Sequence, residues 1–150
     1  MEKKIVQVQE RTQQLIRQLL NVWESSVRAT HDFLSEEEII KIREYVPMAI
    51  ENVEYLIIAE KEFGEPVAFM GIDSNRLEML FLSPEARGKG LGKQLLQYGI
   101  ETYNIQELTV NEQNPQAVGF YEHMGFQTYK RTDHDEEGNP YPLLYMRLSR

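Results

Sequence analysis

Six residues, Arg87-Gly88-Lys89-Gly90-Leu91-Gly92, place three glycines and two cations where a strand pattern gives way to a helix pattern. Glycine lets the backbone curve until successive N–H groups converge, and it leaves room for a ligand to come close. A helix starting near Gly90 adds unpaired N–H groups and the positive end of its dipole. Arg87 and Lys89 add full charges. The chemistry this suits is capture of phosphate, best of all a diphosphate. The same residues also describe a glycine-rich turn with a solvated cation on each side, and the loop by itself does not separate the two.

Two familiar phosphate loops do not fit. A P-loop requires G-x-x-x-x-G-K-[ST]. Here Gly92-Lys93 is followed by Gln94, and Arg87 stands where the first glycine belongs. A dinucleotide fingerprint requires G-x-G-x-x-G directly after a strand. Gly88 and Gly90 match, but Lys93 holds the third position, and five residues including Pro84 separate Leu82 from Gly88.

The surrounding elements must position this loop. Apolar residues at Leu15, Ile16, Leu19, Leu20, Trp23 and Val27 have helical spacing and predict an amphipathic helix over Arg11–Arg28. Ile5, Val6 and Val8 suggest a short strand before it. Ser35 with Glu38 three residues later is a capping-box signature for a second helix, which Pro47 should end or redirect. Val53–Glu60, Pro66–Asp73 and Arg76–Leu82 read as strands joined by short turns, hence antiparallel. Leu91, Leu95, Leu96 and Ile100 predict a helix to about Tyr103, followed by a strand at Glu107–Val110. Pro115 opens a further helix to Met124, and Gly125 is placed to stop it. Phe126–Thr132 and Leu143–Leu148 read as a closing antiparallel pair around the polar loop DHDEEGNPYP. The order is that of a mixed α/β domain with one crossover unit in the middle.

A chain of 150 residues with 41% hydrophobic residues suits one soluble domain, 1–150. It has no apolar run of membrane-spanning length and no secretory h-region, so it is expected to be cytoplasmic and free of membrane. The absence of cysteine excludes disulfides, thiolate metal sites and a cysteine nucleophile. His31, His123 and His134 are scattered, so no metal is expected. The net charge of −8 argues against nucleic acid and suggests a cationic partner.

Arg87-Gly88-Lys89-Gly90-Leu91-Gly92 also matches R-x-x-G-x-G and resembles the strand-to-helix junction of the GNAT superfamily, the acyl-CoA-dependent N-acyltransferases. Leu80-Phe81-Leu82-Ser83-Pro84 resembles the strand and proline exit that precede that loop. Asn114-Pro115-Gln116-Ala117-Val118-Gly119-Phe120-Tyr121 resembles the family's N-x-x-A-x-x-F-Y segment, and Met124-Gly125-Phe126 its G-F closing. The stretches Trp23–Leu34, Asn111–Asn114 and Pro140–Leu144 resemble a bacterial subgroup of acetyltransferases.

The resemblance implies a mostly antiparallel twisted sheet flanked by helices on both faces. It implies acetyl-CoA as cosubstrate, with the diphosphate on Arg87, Gly88, Lys89, Gly90, Leu91, Gly92 and Lys93. The pantetheine arm would lie between splayed strands, pairing with Leu80, Phe81 and Leu82, with Asn114 reaching it and small Ala117 allowing approach. An amine then attacks the thioester. Tyr121 occupies the position of the acid that protonates the leaving thiolate, and the N–H of Leu82 or a neighbour is the oxyanion donor. Glu78 and His31 are the candidate bases, although Glu78 also reads as a surface residue beside Arg76 and His31 as a capping or loop-packing residue. Water could serve instead. Trp23 and Phe33 read as core or pocket walls, and Asp133–Glu136 as a solvated run that could rim the acceptor side.

The expected activity is N-acetyltransfer to a primary amine of a small molecule or a protein. A GNAT fold that senses acyl-CoA without turnover is the alternative, and a Rossmann-type nucleotide domain fits less well. Exposed strand edges could support a homodimer.

Overall fold

A threonine sets the start of the first long element. Thr12 accepts a hydrogen bond from the N–H of Leu15 at 3.1 Å, and helix α1 runs from Gln13 to Thr30. The computed structural model describes residues 4–149. Strand β1 (Lys4–Gln7) precedes α1; helices α2 (Glu36–Arg43) and α3 (Val46–Asn52) follow it. Strands β2 (Tyr55–Glu60), β3 (Pro66–Asp73) and β4 (Arg76–Leu82) come next, then helix α4 (Leu91–Tyr103) and strand β5 (Glu107–Asn111). Helix α5 (Pro115–His123) leads to β6 (Phe126–Thr132) and β7 (Leu143–Leu148).

The strands form one sheet in the order β1-β2-β3-β4-β5-β7-β6. Every neighbouring pair is antiparallel except β4 with β5, which the α4 crossover makes parallel. Alternation along β2 and β3 divides the core. Ile57, Ala59, Ala68 and Met70 pack with Leu95 and Leu96 of α4, while Leu56, Ile58 and Phe69 pack with Leu19, Trp23 and Ile50 of α1 and α3. Helices therefore cover both faces, as the family resemblance implies. Burying a leucine- or phenylalanine-sized side chain contributes about 1.5–3 kcal/mol, so these two layers fix α1 and α4 against the sheet.

Pro47 neither ends nor bends the second helix. That helix stops at Arg43, and Pro47 lies in the first turn of a separate helix, α3. Proline has no N–H to lose there, and its fixed φ suits a helix start. Three helices thus precede β2 instead of two. The predicted capping box is present: Ser35 Oγ accepts from Glu38 N–H at 3.1 Å, and Glu38 Oε1 accepts from Ser35 N–H at 2.8 Å. The uncertain first strand is a true edge strand, paired from Lys4 opposite Glu60 to Gln7 opposite Ile57.

Candidate active site

The parallel pair at the centre of the sheet is short. Arg76 stands beside Glu107 and Leu77 beside Leu108, and the register of β4 with β5 goes no further. Beyond that point β4 stays with β3, as far as Ala68 opposite Leu82, while β5 stays with β7, as far as Asn111 opposite Leu143. Each strand is held on its outer side, so the inner sides diverge. The fork is bridged at its apex, where the Arg76 guanidinium donates to Thr109 Oγ1 on β5.

The open fork carries backbone polarity. Ser83 N–H donates to Val67 O at 2.8 Å, toward β3. Successive N–H groups of a strand point to opposite sides. The N–H groups of Leu82 and, two residues earlier, Leu80 are therefore turned toward the gap, where β5 no longer supplies an acceptor.

A cleft of about 470 Å³ occupies this fork and extends to the mouth of α4. The loop at that mouth is shaped by glycine. Gly88 has φ of 74° and Gly90 φ of 78°, a region that costs a side-chain-bearing residue about 1 kcal/mol or more. Gly90 is also the N-cap of α4 and brings no side chain to cap it, so the first-turn N–H groups of Leu91, Gly92 and Lys93 are left open toward an anion. No atom lies within 4 Å of where a Cβ would stand on Gly88 or Gly90. Gly92 is different: a Cβ there would meet the Phe120 ring of α5 at 3.6 Å, so the loop and α5 are packed together.

The cleft gathers nearly all of the sequence candidates. Glu78, Leu80, Phe81, Leu82, Arg87, Gly88, Gly90, Leu91, Gly92, Lys93, Asn114, Ala117, Tyr121 and His31 all line it. Lys89 is exposed and does not line it. Arg87 lines it but turns toward α1 and not across its own loop: Nη2 donates to Ser26 Oγ at 3.0 Å, and Nε is buried with no partner among the described residues. Burial lowers the pKa of this guanidinium.

Asn114 caps α5, its Oδ1 accepting from Ala117 N–H at 3.3 Å, which leaves the amide NH₂ to donate elsewhere. Seven residues on, Tyr121 sits between aromatic neighbours, 5.2 Å from Phe120 and 6.2 Å from Phe126 between ring centroids. Burial pushes its phenol well above the ordinary range, so the hydroxyl keeps its proton at any physiological pH.

The two titratable candidates sit on different walls. Glu78 lies on β4, 3.6 Å from Arg76, with its side chain 42% exposed. Burial raises its pKa; Arg76 opposes this, and the negative charges of Asp73 and Glu136 reinforce it. Glu136 belongs to the β6–β7 loop, so the charge of that acidic loop is felt at Glu78. His31 caps the C-terminus of α1, its N–H donating to Val27 O at 2.8 Å. Burial lowers the imidazole pKa, the Arg87 charge lowers it further, and Asp32 opposes both. Its ring lies 5.2 Å from Phe33, which in turn meets Tyr141 at 6.0 Å edge-on. The β6–β7 loop is thereby docked against the α1–α2 junction.

Ser26 and Thr30 also line the cleft, and sequence reasoning missed them. The available signal was a small polar pair, four residues apart, beside Trp23 and Val27 on the apolar face of α1. Ser26 is 1% exposed. Among the described residues no cluster of metal-ligating side chains occurs, and no helix is long and apolar enough to cross a membrane.

The family model for the acetyltransferase (GNAT) domain matches residues 24–149. The chain is 40% identical over 126 residues to the peptidyl-lysine N-acetyltransferase YjaB of Salmonella typhimurium, covering 84% of this chain and 86% of that protein. It is 39% identical over 127 residues to the Escherichia coli protein of the same name, covering 85% and 86%. The solution structure of apo YjaB from Escherichia coli superposes with a TM-score of 0.88 at 34% identity, over 99% of this chain and 98% of that one. A PaiA N-acetyltransferase from Thermoplasma acidophilum, solved with coenzyme A, shares the fold with a TM-score of 0.72 at 22% identity, over 98% and 99%.

Proposed function

The chain belongs to the GNAT family of acetyltransferases, and we propose that it moves an acetyl group from acetyl-CoA to the side-chain amine of a lysine in a protein. The acceptor class rests on the relatives at about 40% identity, which carry the name peptidyl-lysine N-acetyltransferase. It also rests on charge: a net −8, the carboxylate of Glu78 on the cleft wall and the charge of Glu136 felt there favour a cationic acceptor. The observation that carries the whole reading is the fork between β4 and β5, whose gap opens onto an uncapped helix mouth.

The residues fit acetyl-CoA at both ends. Open N–H groups at Leu91, Gly92 and Lys93 suit its diphosphate, and the unmatched N–H groups of Leu80 and Leu82 suit the amides of its pantetheine arm. When bound, acetyl-CoA supplies a thioester, an acyl group already activated for attack by an amine.

The chain's own groups then have three tasks. The N–H of Leu82 or of a neighbour on β4, whichever the arm leaves free, donates to the carbonyl oxygen as that atom gains negative charge; a donor fixed in a strand needs no reorganisation, which is where such stabilisation comes from. Tyr121 holds a proton for the departing sulfur, whose thiol form has a pKa of about 8.5 and is the better leaving group at neutral pH. A lysine ammonium, with pKa about 10.4, must lose a proton before it can attack, and Glu78 and His31 are the groups beside the cleft that can receive it.

The test has two readouts. Acetyl-CoA should raise the melting temperature, and a lysine-containing peptide should then release free thiol with an added acetyl mass. Stabilisation by acetyl-CoA with no thiol release across a panel of peptides, polyamines and small amines would replace catalysis with acyl-CoA sensing. No stabilisation at all would remove both.

A further inference from the structure

Three polar groups of α1 and one arginine of the cofactor loop form a connected line. Arg87 Nη2 donates to Ser26 Oγ at 3.0 Å. One turn on, Thr30 Oγ1 donates to the backbone carbonyl of Ser26 at 2.8 Å, and the same Oγ1 lies 2.8 Å from His31 Nδ1. Ser26, Thr30, His31 and Arg87 all line the cleft.

Proton bookkeeping decides the direction of the last contact. A threonine hydroxyl has one hydrogen to give. Thr30 gives it to the carbonyl four residues back, a common choice late in a helix. Toward His31 the oxygen can then only accept, so Nδ1 must carry the ring proton. In a neutral imidazole that leaves Nε2, across the ring, with the lone pair.

We propose that Thr30 is a positioning residue that fixes His31 as its Nδ1–H tautomer, leaving Nε2 to act as the base for the acceptor amine. This rests on the acetyl-transfer reading and selects between its two candidate bases. Nε2 takes one proton from the acceptor's ammonium, which becomes a neutral amine, and His31 becomes an imidazolium that returns the proton to water after transfer. The surroundings favour a base that starts neutral. The ring is partly buried, the Arg87 guanidinium lies near it, and Phe33 covers part of it. The opposing charges are Asp32 and the C-terminal carbonyls of α1. Burial and Arg87 outweigh them, so the net shift is downward. Arg87 thus has a second role toward the acceptor side: its charge disfavours the imidazolium, which keeps the ring neutral before the acceptor arrives and favours return of the proton to water afterwards.

The test begins with nitrogen chemical shifts of the histidine rings in the full chain without ligand. The expected His31 pattern is pyrrole-like Nδ1 and pyridine-like Nε2, with a midpoint below the ordinary histidine value. Thr30→Val, which keeps the shape and loses the hydroxyl, should mix the tautomers and lower kcat for a lysine peptide about tenfold at saturating acetyl-CoA. Thr30→Ser should restore both. His31→Gln should lower kcat about a hundredfold, within the range of general-base catalysis. Circular dichroism and melting temperature keep loss of fold apart from loss of base. An Nε2–H tautomer in the unmodified protein, or full turnover by a folded His31→Gln variant, would overturn the proposal and leave acetyl transfer standing. Absence of any transfer by the unmodified protein, with the expected tautomer present, would overturn the reaction and leave the Thr30 contact standing.

Discussion

Leu77 of β4 and Leu108 of β5 form the last matched pair of the parallel strands, and the cleft begins immediately after them. Leu77 is 5% exposed and Leu108 1%, so the fork has a dry, packed apex while its arms face the cleft. This one pairing separates the structural half of the sheet from the half that can bind.

Gly90 tests the helix mouth. An alanine there fills no occupied space but must adopt φ near 78°, which costs about 1 kcal/mol. Gly90→Ala should lower the melting temperature by about 2–4 °C. Because the strain sits at the helix mouth proposed for the diphosphate, the Kd for acetyl-CoA should rise by about tenfold, equivalent to about 1.4 kcal/mol. Calorimetric titration measures the second effect; an unchanged Kd would place the diphosphate elsewhere.

Tyr121→Phe should retain the aromatic contacts with Phe120 and Phe126 and lose only the hydroxyl proposed as the proton donor. Turnover should fall by about a hundredfold, with the KM for acetyl-CoA within twofold. Burial raises the phenol's pKa, so Tyr121 does not titrate within the range in which the protein is assayed. Any alkaline limb in the rate profile should therefore survive this substitution. Stopped-time thiol assays from pH 6 to 10 decide it.

Glu78→Gln separates charge from fold. Burial holds the folded carboxyl pKa above its unfolded value near about 4.3, so the folded state binds that proton more tightly. Ionised Glu78 consequently opposes folding at neutral pH, an opposition that fades as pH falls toward the unfolded value. The variant should melt no lower than the parent at pH 7.5, and the two should converge near pH 4. The KM for a lysine peptide should rise several-fold with little change in acetyl-CoA affinity, because a negative charge beside the acceptor has gone. A fall in melting temperature at pH 7.5 would contradict the sign.

Tyr141→Ala removes the edge-on contact with Phe33 that docks the β6–β7 loop on the α1–α2 junction. Such a pair contributes about 0.5–1.5 kcal/mol beyond area. The KM for the peptide should rise, by roughly two- to tenfold, while acetyl-CoA still stabilises the protein to the same degree. Equal losses for both substrates would indicate a general loosening of the sheet.

Much of this protein is legible in its residues. Turn chemistry at Glu62–Gly64 and Ser74-Asn75 specifies the β2–β3–β4 hairpins, and the glycine loop followed by Leu91, Leu95, Leu96 and Ile100 specifies the crossover helix. Those signals are local: a turn conformation or a helical stripe is written within a few residues. Pro47 shows the limit of that reading, since the same missing N–H can stop one helix or start the next, and the choice depends on whether Val46 and Ile50 have a core to enter.

Tertiary structure alone decided the rest. The divergence of β4 from β5 follows from each strand's attachment to its outer neighbour, a property of the sheet and not of either strand. The turn of Arg87 toward Ser26, sixty-one positions away, depends on α1 lying across the glycine loop, whereas the contact of Thr30 with His31 joins chain neighbours and is local. Sequence set the kinds of group and their local backbone, because those obey short-range sterics and hydrogen bonding. Packing set which of them face one another, because distance through space is fixed only when the two core layers close on the sheet.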